Sequence, residues 1–277
     1  MANDCPPDTA STPEEKGLPG RWKIELVGGH KFDLADLSEA APGVGAKVLQ
    51  GGDKWFLHAS SFETLSTATK VFDEAKRILG VLMTVVKASG KTTEPVKLGP
   101  IFDQQGGPPT TIVEAVGVAR GRSRAYAVSV AGAGGSTQPD TETTLAKYTR
   151  LCASDPEVRR AMDFLNTPGD TFGFLYNAYE IVRDDLGGRK EGAKKAAELA
   201  QVPLSELDTF YDNAHYQKLS GDKARHAGSI KRNEEPKTSR KMDLEGEARP
   251  LIKRVVRAWV DYKANHAGDP ACFTDKT

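Results

Sequence analysis

The sequence predicts an α+β fold: a mostly antiparallel sheet with one long helix, followed by an all-α helical bundle domain. Three observations carry this. Short runs in the first half alternate apolar and polar residues with period 2 and are separated by glycine pairs. Among them, residues 60–86 place large apolar side chains on one helical stripe. Beyond the stretch AGAGGSTQPDT, residues 131–141, each patterned segment has helical spacing. The predicted organisation is a disordered tail over 1–18, an α+β domain over 19–131, a linker over 132–141, a helical bundle domain over 142–266 and a tail over 267–277.

In chain order, Trp22, Ile24 and Leu26 alternate with Lys23 and Glu25, as in a half-buried strand. Gly28-Gly29 predicts a tight turn into a returning strand over 30–34. Strands over 46–50 and 54–59 flank the turn residues Gly51-Gly52-Asp53. Ser60 and Glu63 fit a capping box, which predicts a helix beginning at Ser60 with Leu65, Phe72, Leu79, Leu82 and Val86 on its stripe. Gly80 inside it is about 1 kcal/mol less favourable than alanine, which predicts close packing against the sheet. A strand over 96–102 and a hairpin of 111–119 with 124–130 complete the first unit.

Helices are predicted near 143–152, 155–165, 170–186, 191–201, 204–214 and 243–264. The third has Phe172, Leu175, Tyr179, Val182 and Leu186 on one face and is stopped by Gly187-Gly188. The last has Leu244, Ala248, Leu251, Val255, Trp259 and Tyr262 on one stripe. An interior proline costs about 3 kcal/mol, so Pro250 predicts a kink there or a helix start close to it.

The totals exclude several classes. No apolar run approaches the roughly 20 residues of a spanning helix, so no membrane association is predicted. The opening MANDCPPDTASTPEEKG has no basic and apolar signal regions and is rich in Pro, Thr and acidic residues, hence the predicted disorder. Cys5, Cys152 and Cys272 are far apart with no C-x-x-C, which predicts reduced thiols in a cytoplasmic protein. Lys and Arg equal Asp and Glu at 38 each, and only residues 218–257 are biased, with twelve basic side chains against six acidic.

The common chemical motifs are missing. There is no phosphate-cradling G-x-x-x-x-G-K-[ST], no H-E-x-x-H and no G-x-S-x-G. Gly132-Ala133-Gly134-Gly135 opens no helix and lacks a correctly placed third glycine, so it reads as linker. The five histidines, His30, His58, His215, His226 and His266, are scattered. Neither a metal site nor a cofactor is predicted.

Three candidates remain. Ala197, Gln201-Val202 and Leu207 have helix-turn-helix spacing. The turn position that favours glycine holds Gln201, and Glu206, Asp208 and Asp212 would repel a phosphate backbone, so a plain helical hairpin is predicted. Arg120, Arg122 and Arg124 alternate along the hairpin tip, where together they suit phosphates or an acidic partner. The stretch SGDKARHA, 220–227, reads first as a helix start with Ser220 as cap, Asp222 in the first turn and Lys223 and Arg225 in solvent. Its functional reading joins His215, Asp222, Arg225 and His226 in one polar corner, with Lys223 and Arg225 as anion-binding groups. The charged run Glu180 to Asp185 reads as a solvated helix face, the other reading being pairing with the basic C-terminal helix.

FLYNAYEIVRDDLGG (174–188), SGDKARHA (220–227) and VVRAWVDYK (255–263) resemble segments of a group of bacterial proteins found near mobile elements or defence genes. The helix count of this half also resembles a HEPN-like bundle. Members of that superfamily that cut RNA use Arg, four to six residues, then His. Here Arg225 directly precedes His226, and Arg257 lies nine residues before His266. The resemblance therefore implies a bundle that binds RNA or protein without that pair. The expected function is a non-catalytic binding module with a protein partner, RNA being the second expectation through the basic residues of 218–257. The alternative is a HEPN-like RNA-binding protein or ribonuclease, with His226 as acid/base and Arg225 on the phosphate.

Overall fold

Alternation in the first half builds a four-stranded antiparallel sheet. The strands are β1 (Trp22–Gly28), β2 (Ala46–Gly51), β3 (Lys54–Ala59) and β4 (Val96–Asp103), in the order β2-β3-β1-β4. The computed structural model describes residues 20–91, 94–106, 108–112, 142–169, 171–225 and 236–266. The predicted tails over 1–18 and 267–277, the linker over 132–141 and the hairpin tip with Arg120, Arg122 and Arg124 lie outside the described residues.

The register aligns Val48 with Leu57, Leu57 with Ile24, and Ile24 with Ile101. All four are buried, so one face of the sheet presents a continuous apolar row. On the opposite face the Lys23 ammonium lies 4.7 Å from the Phe56 ring centre and 5.4 Å from that of Phe102. The apolar row is covered by α1 (Lys31–Ala40) and the long α2 (Ala68–Ala88), the helix expected of an α+β unit.

Two predicted elements are corrected here. Gly28 and Gly29 do take positive φ, but the chain leaves them into α1 rather than into a returning strand over 30–34. The Asp33 carboxylate accepts the His30 backbone N–H at 2.8 Å, which secures the first helical turn. Leu34, Leu37 and Ala40 are then buried with helical spacing. The second correction concerns Ser60 and Glu63. Glu63 accepts the backbone N–H of Arg21 at 3.0 Å and Ser60 donates to the Gly45 carbonyl, so the two do not form a capping box. Residues Ser60–Thr64 make a 3-10 turn instead, and α2 begins at Ala68, capped by Thr67 accepting from the Lys70 N–H at 3.4 Å.

The remaining helices are α3 (Thr144–Ser154), α4 (Pro156–Asn166), α5 (Phe172–Asp185), α6 (Gly188–Ala200), α7 (Leu204–His215), the single turn α8 (Gln217–Ser220) and α9 (Arg249–His266). A π turn, Leu244–Ala248, leads into α9 and places Pro250 second in the α-helical part, where its missing N–H costs little. The sheet unit and the helical unit share one continuous apolar core, with α2 lying between the sheet and the pair α3 and α4. Thr84 on α2 donates to Asp163 at 2.8 Å, and Asn166 donates back to the Thr84 carbonyl at 2.8 Å. No helix of the described residues is long and apolar enough to cross a membrane.

Gly80 is exposed and faces α4, not the sheet as predicted. A Cβ added there would meet only the Arg159 guanidinium, at 3.9 Å. Gly80→Ala therefore gains helix propensity without a clash and is expected to add about 0.5–1 kcal/mol of stability. A lowered thermal midpoint would contradict this packing.

Candidate functional site

The site is built around the C-terminal half of α5. Helical spacing puts Tyr176, Glu180 and Arg183 on adjoining positions, and α6 and α7 close over them. The approach of α6 depends on Gly192, because a Cβ there would lie 1.8 Å from the Arg183 carbonyl oxygen. The turn between α6 and α7 is closed by Gln201 in the left-handed conformation, φ 51°, the geometry that favours glycine. This is the helical hairpin predicted from the sequence. Asp212 of α7 is buried and accepts the Thr238 N–H at 3.1 Å, while Asn213 holds the Arg240 carbonyl and the Met242 N–H.

Tyr176 is the hub of the predicted polar corner. His215 meets its ring edge-on with centroids 4.5 Å apart, and the Arg225 guanidinium lies 4.5 Å from the ring centre. Arg225 also donates to Glu180 at 3.4 Å. The Tyr176 hydroxyl accepts from Arg183 at 3.3 Å and donates to Glu180 at 3.4 Å. His215 stacks on Tyr211 at 4.2 Å, and its Nδ1–H donates to the Tyr211 carbonyl at 2.9 Å. Of the four predicted catalytic candidates, the structure thus brings His215 and Arg225 together. Asp222 is exposed on the short 3-10 turn Gly221–Lys223, as is Lys223. His226 lies outside the described residues.

The first reading of SGDKARHA, as a helix start, is corrected at two points. Ser220 donates to the Asn213 carbonyl instead of capping, and Arg225 is half-buried on Tyr176 rather than in solvent. The predicted solvated face from Glu180 to Asp185 is corrected as well. The Arg183 side chain is only 10% exposed and pairs with Asp184 at 2.8 Å and with Glu180 at 3.4 Å. Burial pulls its guanidinium pKa down, but the bonds to Asp184 and Tyr176 more than offset this and hold it above the usual arginine value. Asp185 accepts from the Trp259 indole at 2.9 Å, and the buried Lys263 ammonium lies 2.7 Å from Asp155 and 3.3 Å from Asp185. The face does pair with α9.

Two buried side chains with potentially nucleophilic atoms stay protonated at neutral pH. Burial pushes the Cys152 thiol up to about 12, so little thiolate forms at neutral pH. Burial likewise pushes the Tyr179 phenol up to about 12. Among the described residues no group of three or more His, Cys, Asp or Glu side chains is placed to hold a metal.

Two open cavities flank this part of α5. One, about 500 Å³, is lined by Glu157, Glu180, Asp184 and Asp185 against Arg160 and Arg225, with Phe164 and Ile181 as its apolar floor. The other, about 440 Å³, lies between α5, α6, α7 and residue 237. Five cations line it, Arg183, Arg189, Lys190, Lys194 and Lys237, with the single carboxylate Asp208. Arg189 donates to the Tyr211 hydroxyl at 2.9 Å, and Lys194 pairs with Glu191 at 3.1 Å. Lys190 and Lys237 have no ion-pair partner among the described residues and are exposed.

From the sequence, the expected positive surface is residues 218–257. Much of that charge is offset locally, by Arg225 with Glu180, Arg240 with Glu247 and Arg249 with Glu245. Among the described residues of that stretch, Lys237 alone lines the cationic cavity. The signal that marks the cavity is GRKEGAKK in α6, where Lys190 and Lys194 stand four residues apart on one face. Compared with protein-family models, curated proteins and solved structures, the chain matches none.

Proposed function

We propose that this chain is a non-catalytic binding module, and that its helical half takes an anionic ligand in the cavity between α5, α6 and α7. The observation that carries this is the charge of that cavity, five cationic side chains against one carboxylate. A concave site lined with one sign of charge concentrates the opposite sign and speeds its arrival. The non-catalytic part rests on the other corner. Arg225 and His215 are engaged with Tyr176, Glu180 and Tyr211, and a phosphate clamp or acid/base pair would first have to leave those partners.

The test is binding of labelled single-stranded RNA by anisotropy at 50 and 200 mM salt, with the same samples run for cleavage. The expected outcome is affinity that falls with salt, by about 0.7 logarithmic units per logarithmic unit of salt for each phosphate neutralised, and RNA that stays intact. Cleavage that disappears in His226→Ala while RNA affinity persists would establish the ribonuclease reading instead. An affinity indifferent to salt would remove the anionic ligand and leave an uncharged protein surface as the partner.

A further inference from the structure

The cationic cavity has a charge balance and a size that together specify its ligand. This inference rests on the anion-binding reading above and deepens it. Two of the five cations are already neutralised, Arg183 by Asp184 at 2.8 Å and Lys194 by Glu191 at 3.1 Å. Arg189 keeps its charge, because its partner, the Tyr211 hydroxyl, is neutral. Lys190 and Lys237 keep theirs as well. Among the described residues that line the cavity, Asp208 is the one carboxylate against these three charges, which leaves two positive charges uncompensated among them.

Two charges match a phosphate monoester dianion, whose second ionisation lies near pH 6. They are too few for a tightly held polyphosphate. The volume, about 440 Å³, lies in the range of small-molecule sites and exceeds what a bare phosphate fills. The rest of the lining supplies what an organic body needs. Leu204, an exposed large apolar side chain at 37%, and Ala193 form an apolar strip, and Asp208 offers an acceptor for hydroxyl or amino hydrogens.

We infer that this cavity binds a small phosphate monoester of nucleoside-monophosphate size, with Lys190, Lys237 and Arg189 on the phosphate, Asp208 on the hydroxyl or amino groups and Leu204 with Ala193 under the ring.

The experiment is calorimetric titration of the full chain with adenosine 5′-monophosphate, adenosine, inorganic phosphate and a 5′-hydroxyl oligoribonucleotide. The monophosphate is expected to bind at least tenfold more tightly than adenosine or inorganic phosphate at pH 7.5. Its affinity is expected to fall about tenfold at pH 5, where the dianion is protonated. Lys190→Glu with Lys237→Glu is expected to abolish it, with the thermal midpoint unchanged because both side chains are exposed. Adenosine binding as well as the monophosphate, or monophosphate binding unchanged in the double variant, would overturn the inference. If the oligoribonucleotide binds in a manner sensitive to the double variant while the monophosphate does not, the monoester is wrong and the anion-binding reading stands. If neither binds, both fail.

Discussion

Gly192→Ala is expected to destabilise the protein by about 2 kcal/mol and to weaken ligand binding with it. The new Cβ would sit 1.8 Å from the Arg183 carbonyl oxygen and 2.8 Å from its carbonyl carbon, both backbone atoms that cannot rotate away. Overpacking of this kind costs about 1–3 kcal/mol, and the helix propensity gained by alanine offsets up to about 1 kcal/mol of it. The relief available is for α6 to move off α5, which carries Arg189, Lys190 and Lys194 away from Arg183. Gly80→Ala makes the same chemical change in another helix interior and is expected to have the opposite sign, since nothing but a flexible guanidinium lies near it. Urea midpoints of the two variants check the pair, and a stabilised Gly192→Ala would contradict the close α5–α6 contact.

Lys263→Met is expected to cost about 3 kcal/mol. The ammonium is 8% exposed and lies between Asp155, which caps α4, and Asp185 at the end of α5, beside the Trp259 indole. Methionine keeps most of the stem packing and removes the charge. Two carboxylates about a fifth exposed are then left without their cation, and breaking a buried pair from one side costs about 3–5 kcal/mol when no solvent reaches it. The pH dependence has a fixed sign. Burial raises the Asp155 pKa, but the Lys263 hydrogen bond and charge outweigh it, and the folded value lies below the usual carboxylate range. The stabilisation is therefore complete above the unfolded value, near pH 4, and is lost as pH falls through the lowered folded value. The gap between wild type and variant should be widest at neutral pH and should narrow below about pH 4 as Asp155 protonates. Pairing Lys263→Met with Asp185→Asn should recover part of the loss.

The strands and most helices were legible because their burial follows a local period. Strands β2 and β3 have the predicted ends to within a residue, since Gly51-Gly52-Asp53 punctuates a clean alternation. The misreadings share a cause, which is that a local signal was satisfied by a distant partner. Glu63 resembles a capping residue but serves the Arg21 amide, and Ser220 resembles a cap but serves the Asn213 carbonyl. The helix α1 is hidden in the sequence because its buried apolar positions Leu34, Leu37 and Ala40 follow a glycine pair that equally suits a hairpin.

The site was only half legible for the same reason. His215 and Arg225 are picked out by residue type, yet the group that joins them, Tyr176, is 39 residues before the first and stands outside both the apolar stripe and the charged run that mark its helix. The cationic cavity draws on α5, α6 and residue 237, and one window of sequence, GRKEGAKK, holds only part of its charge, Arg189, Lys190 and Lys194. The uncompensated charge can be recognised only after the ion pairs of Arg183 and Lys194 are known.

The central claim is that anion binding belongs to this cavity and not to the protein's charge at large. The most direct measurement compares two double variants with equal charge change, Lys190→Glu with Lys237→Glu, and Lys47→Glu with Lys97→Glu on the sheet, whose lysines are also exposed. Dissociation constants for single-stranded RNA are measured for both and for the wild type at one salt concentration. The first pair is expected to weaken binding at least tenfold and the second by less than twofold. Equal weakening by both pairs, or by neither, would contradict the claim.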